Sequence, residues 1–157
     1  MTFWGKQILI IAAALGVSRA FAVKMDETTH DQVISRLEMG IDALEKGEPS
    51  RTGVMIRLAD LYADRARLKA MNEVASGCLE KCPGSKADRD RSIALYKEAL
   101  PSVEKVQQGR TILQLAHLYA LNDESKKSID LYNKILKAPK AAYASDVIAI
   151  ANSSLGE

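Results

Sequence analysis

Histidine is scarce in this sequence, and beyond the first 22 residues phenylalanine and tryptophan are absent. His30 and His117 are the only imidazoles, which excludes a histidine-rich metal site. Phe3, Trp4 and Phe21 all stand near the start, so residues 23–157 carry five tyrosines as their only aromatic side chains of the Phe/Trp/Tyr set. Stacking platforms for nucleobases and aromatic cages for quaternary ammonium groups need more. Net charge is lacking too. Beyond residue 22 basic and acidic side chains number 20 each, leaving no basic excess for a nucleic-acid backbone or an acidic membrane surface. The glycines are scattered and form no phosphate-cradling loop. No apolar run approaches the roughly 20 residues of a spanning helix. What remains is a chain of 157 residues, 47% hydrophobic and 27% charged, the composition of about one globular domain.

The first 22 residues read as an address. A short start carrying Lys6 precedes Ile8–Val17, an apolar run of ten, and Ala20 and Ala22 then flank Phe21. Charged start, short apolar centre and a small-x-small site are the order of a secretory signal peptide. Cleavage is expected after Ala22, leaving residues 23–157 in an oxidising compartment, a bacterial periplasm. No cysteine near the cut offers a lipid-modified N-terminus. The other readings of this stretch are an uncleaved anchor and a buried core helix; Arg19, close to the cut, keeps them open.

An internal repeat organises the rest. Arg57-Leu58-Ala59-Asp60-Leu61-Tyr62-Ala63 returns as Gln114-Leu115-Ala116-His117-Leu118-Tyr119-Ala120, an offset of 57 residues. Ser92-Ile93-Ala94-Leu95-Tyr96 returns as Ser128-Ile129-Asp130-Leu131-Tyr132, an offset of 36. The difference of 21 marks an insertion, residues 66–86. Leu58, Leu61 and Tyr62, like Leu115, Leu118 and Tyr119, follow the i, i+3, i+4 spacing of a helix face. Ala59 and Ala116 leave room for a close neighbour.

This helix–turn–helix unit resembles the tetratricopeptide repeat (TPR). Helix A of that family carries a large apolar residue, Leu with a small residue, then Tyr; helix B carries a small residue, an aromatic four further on, and often Pro at its end. One copy offers Met55, Leu58, Ala59 and Tyr62, then Ser92, Tyr96, Leu100 and Pro101; the other offers Ile112, Leu115, Ala116 and Tyr119, then Ser128, Tyr132, Leu136 and Pro139. Leu58, Ala59, Tyr62, Tyr96, Leu115, Ala116, Tyr119 and Tyr132 are the expected repeat core. The resemblance implies an all-α fold of antiparallel helix pairs stacked as a short α-solenoid over residues 23–157. Its parts are a half repeat 31–47 ended by Gly47, Pro49 and Ser50, a repeat 52–101 holding the insertion, a repeat 110–139, and a capping helix 141–155 in which Ser154 takes the Tyr slot. The pattern, with Asp88–Lys97 and Leu58–Tyr62, also resembles exported TPR proteins of deltaproteobacteria associated with cell-envelope and gliding-motility machinery.

Within the insertion, helix A is expected to run on to about Ser76 with Gly77 as its cap. Pro83-Gly84 reads as a turn, and Ser85 with Asp88 as a cap pair opening the next helix. Cys78 and Cys82 lie here. In an exported protein they can close a small ring worth roughly 2 kcal/mol in chain entropy; free buried thiols or a bridge to another chain are the alternatives. Two sulfurs without a nearby His make a poor zinc site, and three intervening residues differ from the two of a redox-active pair.

No enzyme motif is present, and no catalytic residue, metal or cofactor is expected. His30 reads as solvated, and Asp88 and Asp90, interleaved with Arg89 and Arg91, read as a self-neutralised wet face. The expected activity is binding of a protein or peptide, with no nucleic acid and no small-molecule substrate; homo-oligomers remain open. The TPR resemblance places the inner curve on the A helices, where Ile56, Arg57, Asp60 and Asp64 in one copy and Arg110, Leu113, Gln114 and His117 in the other form the candidate groove. Ile56 and Asp60 depart from the basic and Asn-rich set with which chaperone-type repeats clamp a C-terminal carboxylate. A soluble periplasmic adaptor and a subunit permanently buried in an envelope complex are the two rival roles. A long apolar face along residues 61–75 would favour the second.

Overall fold

Six α-helices make up the described residues, 26–78, 82–139 and 142–156, of the computed structural model. They are α1 (Glu27–Asp42), α2 (Pro49–Ala75), α3 (Pro83–Ala99), α4 (Lys105–Leu121), α5 (Ser125–Leu136) and α6 (Ser145–Gly156), with a 3-10 turn at Leu100–Ser102. The protein is all-α, with no strand among the described residues. The expected leader, residues 1–22, lies outside them. None of the described helices is long and apolar enough to cross a membrane.

Local chemistry sets most helix ends, and it shifts several of the expected boundaries. The half repeat begins at Glu27 rather than 31, because Asp26 accepts the Thr29 amide at 2.8 Å as an N-cap. α1 then stops at Asp42 instead of running to 47. Arg51 of the next helix closes this end, its guanidinium 2.5 Å from Ile41 O in the last turn of α1 and 3.1 Å from Leu44 O just beyond it. Pro49 does not end α1; it opens α2, where a missing amide costs nothing. Pro83 does the same for α3 after Cys82, so Pro83-Gly84 is the first turn of a helix and not a loop. Ser85 and Asp88 are no cap pair; both point inward and are buried. α2 and α4 end alike. Cys78 N donates to Glu73 O and Gly77 N to Val74 O, while Glu124 N donates to Tyr119 O and Asp123 N to Ala120 O. These are two Schellman closures, with Gly77 (φ +90°) and Asp123 (φ +61°) in the left-handed position.

The core falls into two clusters with α4 between them. Ile34 and Ile41 of α1, Met55, Leu58, Ala59, Leu61 and Tyr62 of α2, and Ile93, Leu95, Tyr96 and Ala99 of α3 form the first. α4 adds Leu115, Leu118 and Tyr119 to it. One helical side round, Ile112, Leu113 and Ala116 of α4 meet Tyr132 and Ile135 of α5 and Val147 and Ala151 of α6. Each helix packs chiefly on its neighbours in the chain, α2 on α3 most extensively. All eight residues read as repeat core are buried. The small-residue positions serve close approach: Ala59 is fully enclosed, and its carbonyl accepts the Ser92 hydroxyl at 2.8 Å.

Candidate partner-binding groove

Along α2 the sequence repeats a polar position every three or four residues: Arg57, Asp60, Asp64 and, one turn further, Arg67. Along α4 the same stripe is Arg110, Gln114, His117 and Leu121. Where the C-terminal half of α2 passes α4, the stripes enclose a groove of about 330 Å³. Its floor is Ala63, Ala66, Ala70 and Leu118, and its rim is Asp64, Arg67, Arg89, Gln114, His117 and Leu121. A second groove, about 550 Å³, opens between α4, α5 and α6 over Ala120, Leu121, Ile129 and Tyr132, with Ser125, Ser128 and Ser154 at its sides. His117 and Leu121 line both.

The eight expected groove residues therefore divide, Ile56 packing against the first core cluster. Asp64, Gln114 and His117 come together in the first groove. Arg57 is exposed but lines neither groove. Arg110 reaches Asp146 of α6 at 3.1 Å, and Leu113 is buried in the second core cluster rather than facing solvent. Asp60 is half-buried and accepts the Tyr96 hydroxyl, so it holds α2 to α3. Burial raises the Asp60 carboxyl above its ordinary value, and burial with the Asp60 contact raises the Tyr96 phenol. Arg67, Arg89 and Leu121 were missed. Arg67 could have been found by extending the α2 stripe one turn past Asp64. Arg89 enters from α3, where its Nε donates to Asn122 at 2.7 Å, and no local signal announces that.

His117 stands between the two grooves with its ring edge-on to Tyr132, centroids 5.7 Å apart. Burial pushes its pKa below the ordinary 6.5, because the charged form would lose water without gaining a counter-ion. The other histidine was expected in solvent. His30 is instead buried, and its Nδ1 donates to the Asp26 carbonyl at 2.8 Å.

A second departure concerns Asp88, expected on a wet face and found buried. Arg65 binds it through two nitrogens, both at 2.7 Å, and Lys69 adds a third contact at 3.0 Å. Burial alone would raise the Asp88 pKa; Arg65 and Lys69 outweigh it and hold the carboxyl below its usual range. Arg65 also pairs with Asp31 of α1 and lies 5.0 Å over the Tyr62 ring, whose hydroxyl donates to Glu38 at 2.6 Å. This cluster ties α1, α2 and α3 together.

In the corner beyond, Cys78 and Cys82 form a disulfide, Cα atoms 6.0 Å apart. Glu73, in the last turn of α2, caps the start of α3 by accepting the Gly84 and Ser85 amides at 2.8 and 3.2 Å. Among the described residues no group of three His, Cys, Asp or Glu side chains is placed to hold a metal ion.

With this geometry in view, comparison with known proteins adds no relative. No protein-family model, curated protein or solved structure matches the chain. The chemistry of the grooves is what bears on function. Each joins apolar side chains to hydrogen-bonding ones.

Proposed function

We propose that the protein is a non-enzymatic, exported adaptor that binds a protein or peptide segment along the α2–α4–α6 side, on TPR-like helix pairs stacked as a short solenoid, within a cell-envelope or motility complex of the periplasm. The observation that carries this reading is the sharing of His117 and Leu121 by two adjoining grooves, which makes one long apolar track with polar edges. Nearest-neighbour helix packing and the buried Leu, Ala and Tyr positions of both copies support the solenoid. A signal-like leader and the Cys78–Cys82 disulfide support an oxidising compartment.

The rival role, a permanently buried subunit, needs a broad apolar face on α2. Between residues 61 and 75, Leu61, Tyr62 and Ala66 are buried, and only Met71 (55%) and Val74 (58%) are large apolar side chains open to water. Two side chains one turn apart do not make such a face, so the adaptor role is favoured.

The test is capture from periplasmic extract with mass spectrometry, repeated with the Arg67→Ala, Gln114→Ala double variant. Both side chains are exposed, so the melting temperature should hold within about 0.5 kcal/mol of stability, while the captured partner is lost. Equal capture by the double variant would reject the groove.

A further inference from the structure

The two copies of one helical unit permit a comparison inside the chain. α3 and α5 are counterparts, so Ser92 matches Ser128, Ile93 matches Ile129 and Tyr96 matches Tyr132. Their surroundings differ. Ile93 is 8% exposed and shares its apolar cluster with Leu118 and Tyr119 of the helix that follows, α4. Ile129 is 47% exposed although α6 follows α5 and packs on it. The spacing of 35 that aligns Ala116 with Ala151 puts Ser154 where α4 has Tyr119. Ser154 and Ile129 line the same 550 Å³ groove. The hydroxyls tell the same story. Ser92 Oγ donates to Ala59 O at 2.8 Å, whereas the Ser128 hydroxyl, on a residue 3% exposed and lining the groove, has no partner among the described residues.

We infer that this groove seats a tyrosine carried on a helix of the partner protein, its ring on Ile129 and Tyr132 and its hydroxyl on Ser128. The inference rests on the groove reading and names the side chain that reading leaves open. Three observations select it. No Asp, Glu, Lys or Arg lines the groove, so a charged side chain would lose water there without compensation. The unpartnered Ser128 hydroxyl gives a polar tip something to bond. Leu121 on the rim is 65% exposed, so a free small molecule stays wet on one side and binds weakly, while a helix brings apolar surface that covers the rim.

The experiment titrates p-cresol, the tyrosine side chain without its backbone, into the whole protein and follows NMR signals of Ser128, Ile129, Tyr132 and His117. Saturable shifts at these residues are expected. Ser128→Ala should weaken binding roughly 3- to 10-fold, the worth of one net hydrogen bond. Ser154→Tyr should fill the groove from within, abolish the p-cresol shifts and raise Tm by about 3 °C. If p-cresol leaves these signals unmoved in the wild-type protein, or moves them as strongly in Ser154→Tyr, the inference falls, and the wild-type arm decides even if that variant does not fold. Loss of capture by the Arg67→Ala, Gln114→Ala variant alongside a failed p-cresol titration would retain the groove reading and reject the tyrosine; p-cresol binding with capture unaffected would reject the 330 Å³ groove and confine the partner to the 550 Å³ groove that seats the tyrosine.

Discussion

Gly109 and Gly53 both lie within helices, yet the same substitution should have opposite signs at the two. In an unhindered helix Gly→Ala stabilises by about 1 kcal/mol, through lost backbone freedom in the unfolded chain. Around Gly53 in α2, an added Cβ meets nothing within 4 Å. At Gly109 in α4 it would stand 2.7 Å from Cδ1, 3.1 Å from Cγ and 3.2 Å from Cβ of Tyr143. Carbon atoms pack comfortably at about 3.5–4.0 Å, so the ring must retreat by about 1 Å. Turning the ring does not suffice, because the Tyr143 Cβ is itself too close. Residues 142–144 have to shift, and they lead into α6, whose Val147 and Ala151 fill the second core cluster. Overpacking of this kind costs about 1–3 kcal/mol. Set against the gain of about 1, Gly109→Ala should lose about 0–2 kcal/mol, while Gly53→Ala gains about 1. At about 3 °C per kcal/mol for a chain of this size, melting followed by far-UV circular dichroism should put the two variants about 3–9 °C apart. Adding Tyr143→Ala to Gly109→Ala should cost less than the sum of the two single changes. A Gly109→Ala protein that melts at or above Gly53→Ala would refute the packing argument.

Three further expectations follow from the contacts described above. Asp88→Ala should cost about 3–5 kcal/mol at pH 7, because Arg65 and Lys69 lose their shared buried partner. The folded pKa of Asp88 is depressed, so its contribution is present above the unfolded value near 3.9 and vanishes as pH falls through the folded value; urea titrations should show the gap between wild type and variant closing below about pH 4. Asp123→Gly, at φ +61°, should raise stability by about 0.5–1 kcal/mol in the same assay, and a loss would mean that the Asp123 side chain does more than occupy a left-handed cap. Reducing the Cys78–Cys82 bridge should lower stability by roughly 2 kcal/mol without altering helix content, and an unchanged urea midpoint would show that the Glu73 cap alone holds the corner.

The all-α architecture was legible because its signal is local and repeated: Leu58, Leu61 and Tyr62 are buried as helical spacing implies, and so are Leu115, Leu118 and Tyr119. Errors gathered where the deciding partner is far along the chain. Asp88 next to Arg89 reads as a wet ion pair, but the cations that bury it are Arg65 and Lys69, on another helix. Asp60 shares a stripe with Asp64, and nothing nearby says that Tyr96 will take it out of the groove. Pro49 was read as a stop and Pro83 as part of a turn because proline breaks helices, whereas both sit at a first turn, the one place where it breaks nothing. In the groove, Asp64, Gln114 and His117 followed from periodicity, and Arg89 did not, since an arginine arriving from a neighbouring helix leaves no periodic mark.

α4 presents Leu115, Leu118 and Tyr119 to one apolar cluster and Ile112, Leu113 and Ala116 to the other. It is a party wall, and neither room keeps its shape without it. Melting of α5 and α6 would bare one side of α4 and loosen the side that shelters Ile93 and Tyr96; fraying of α1 and α2 would reach Tyr132 by the same route. A short stack of helices built of separable units could unravel one unit at a time, whereas here the shared helix makes opening at either end a cost borne by the whole chain, so the amides of α4 would be among the last to exchange with solvent.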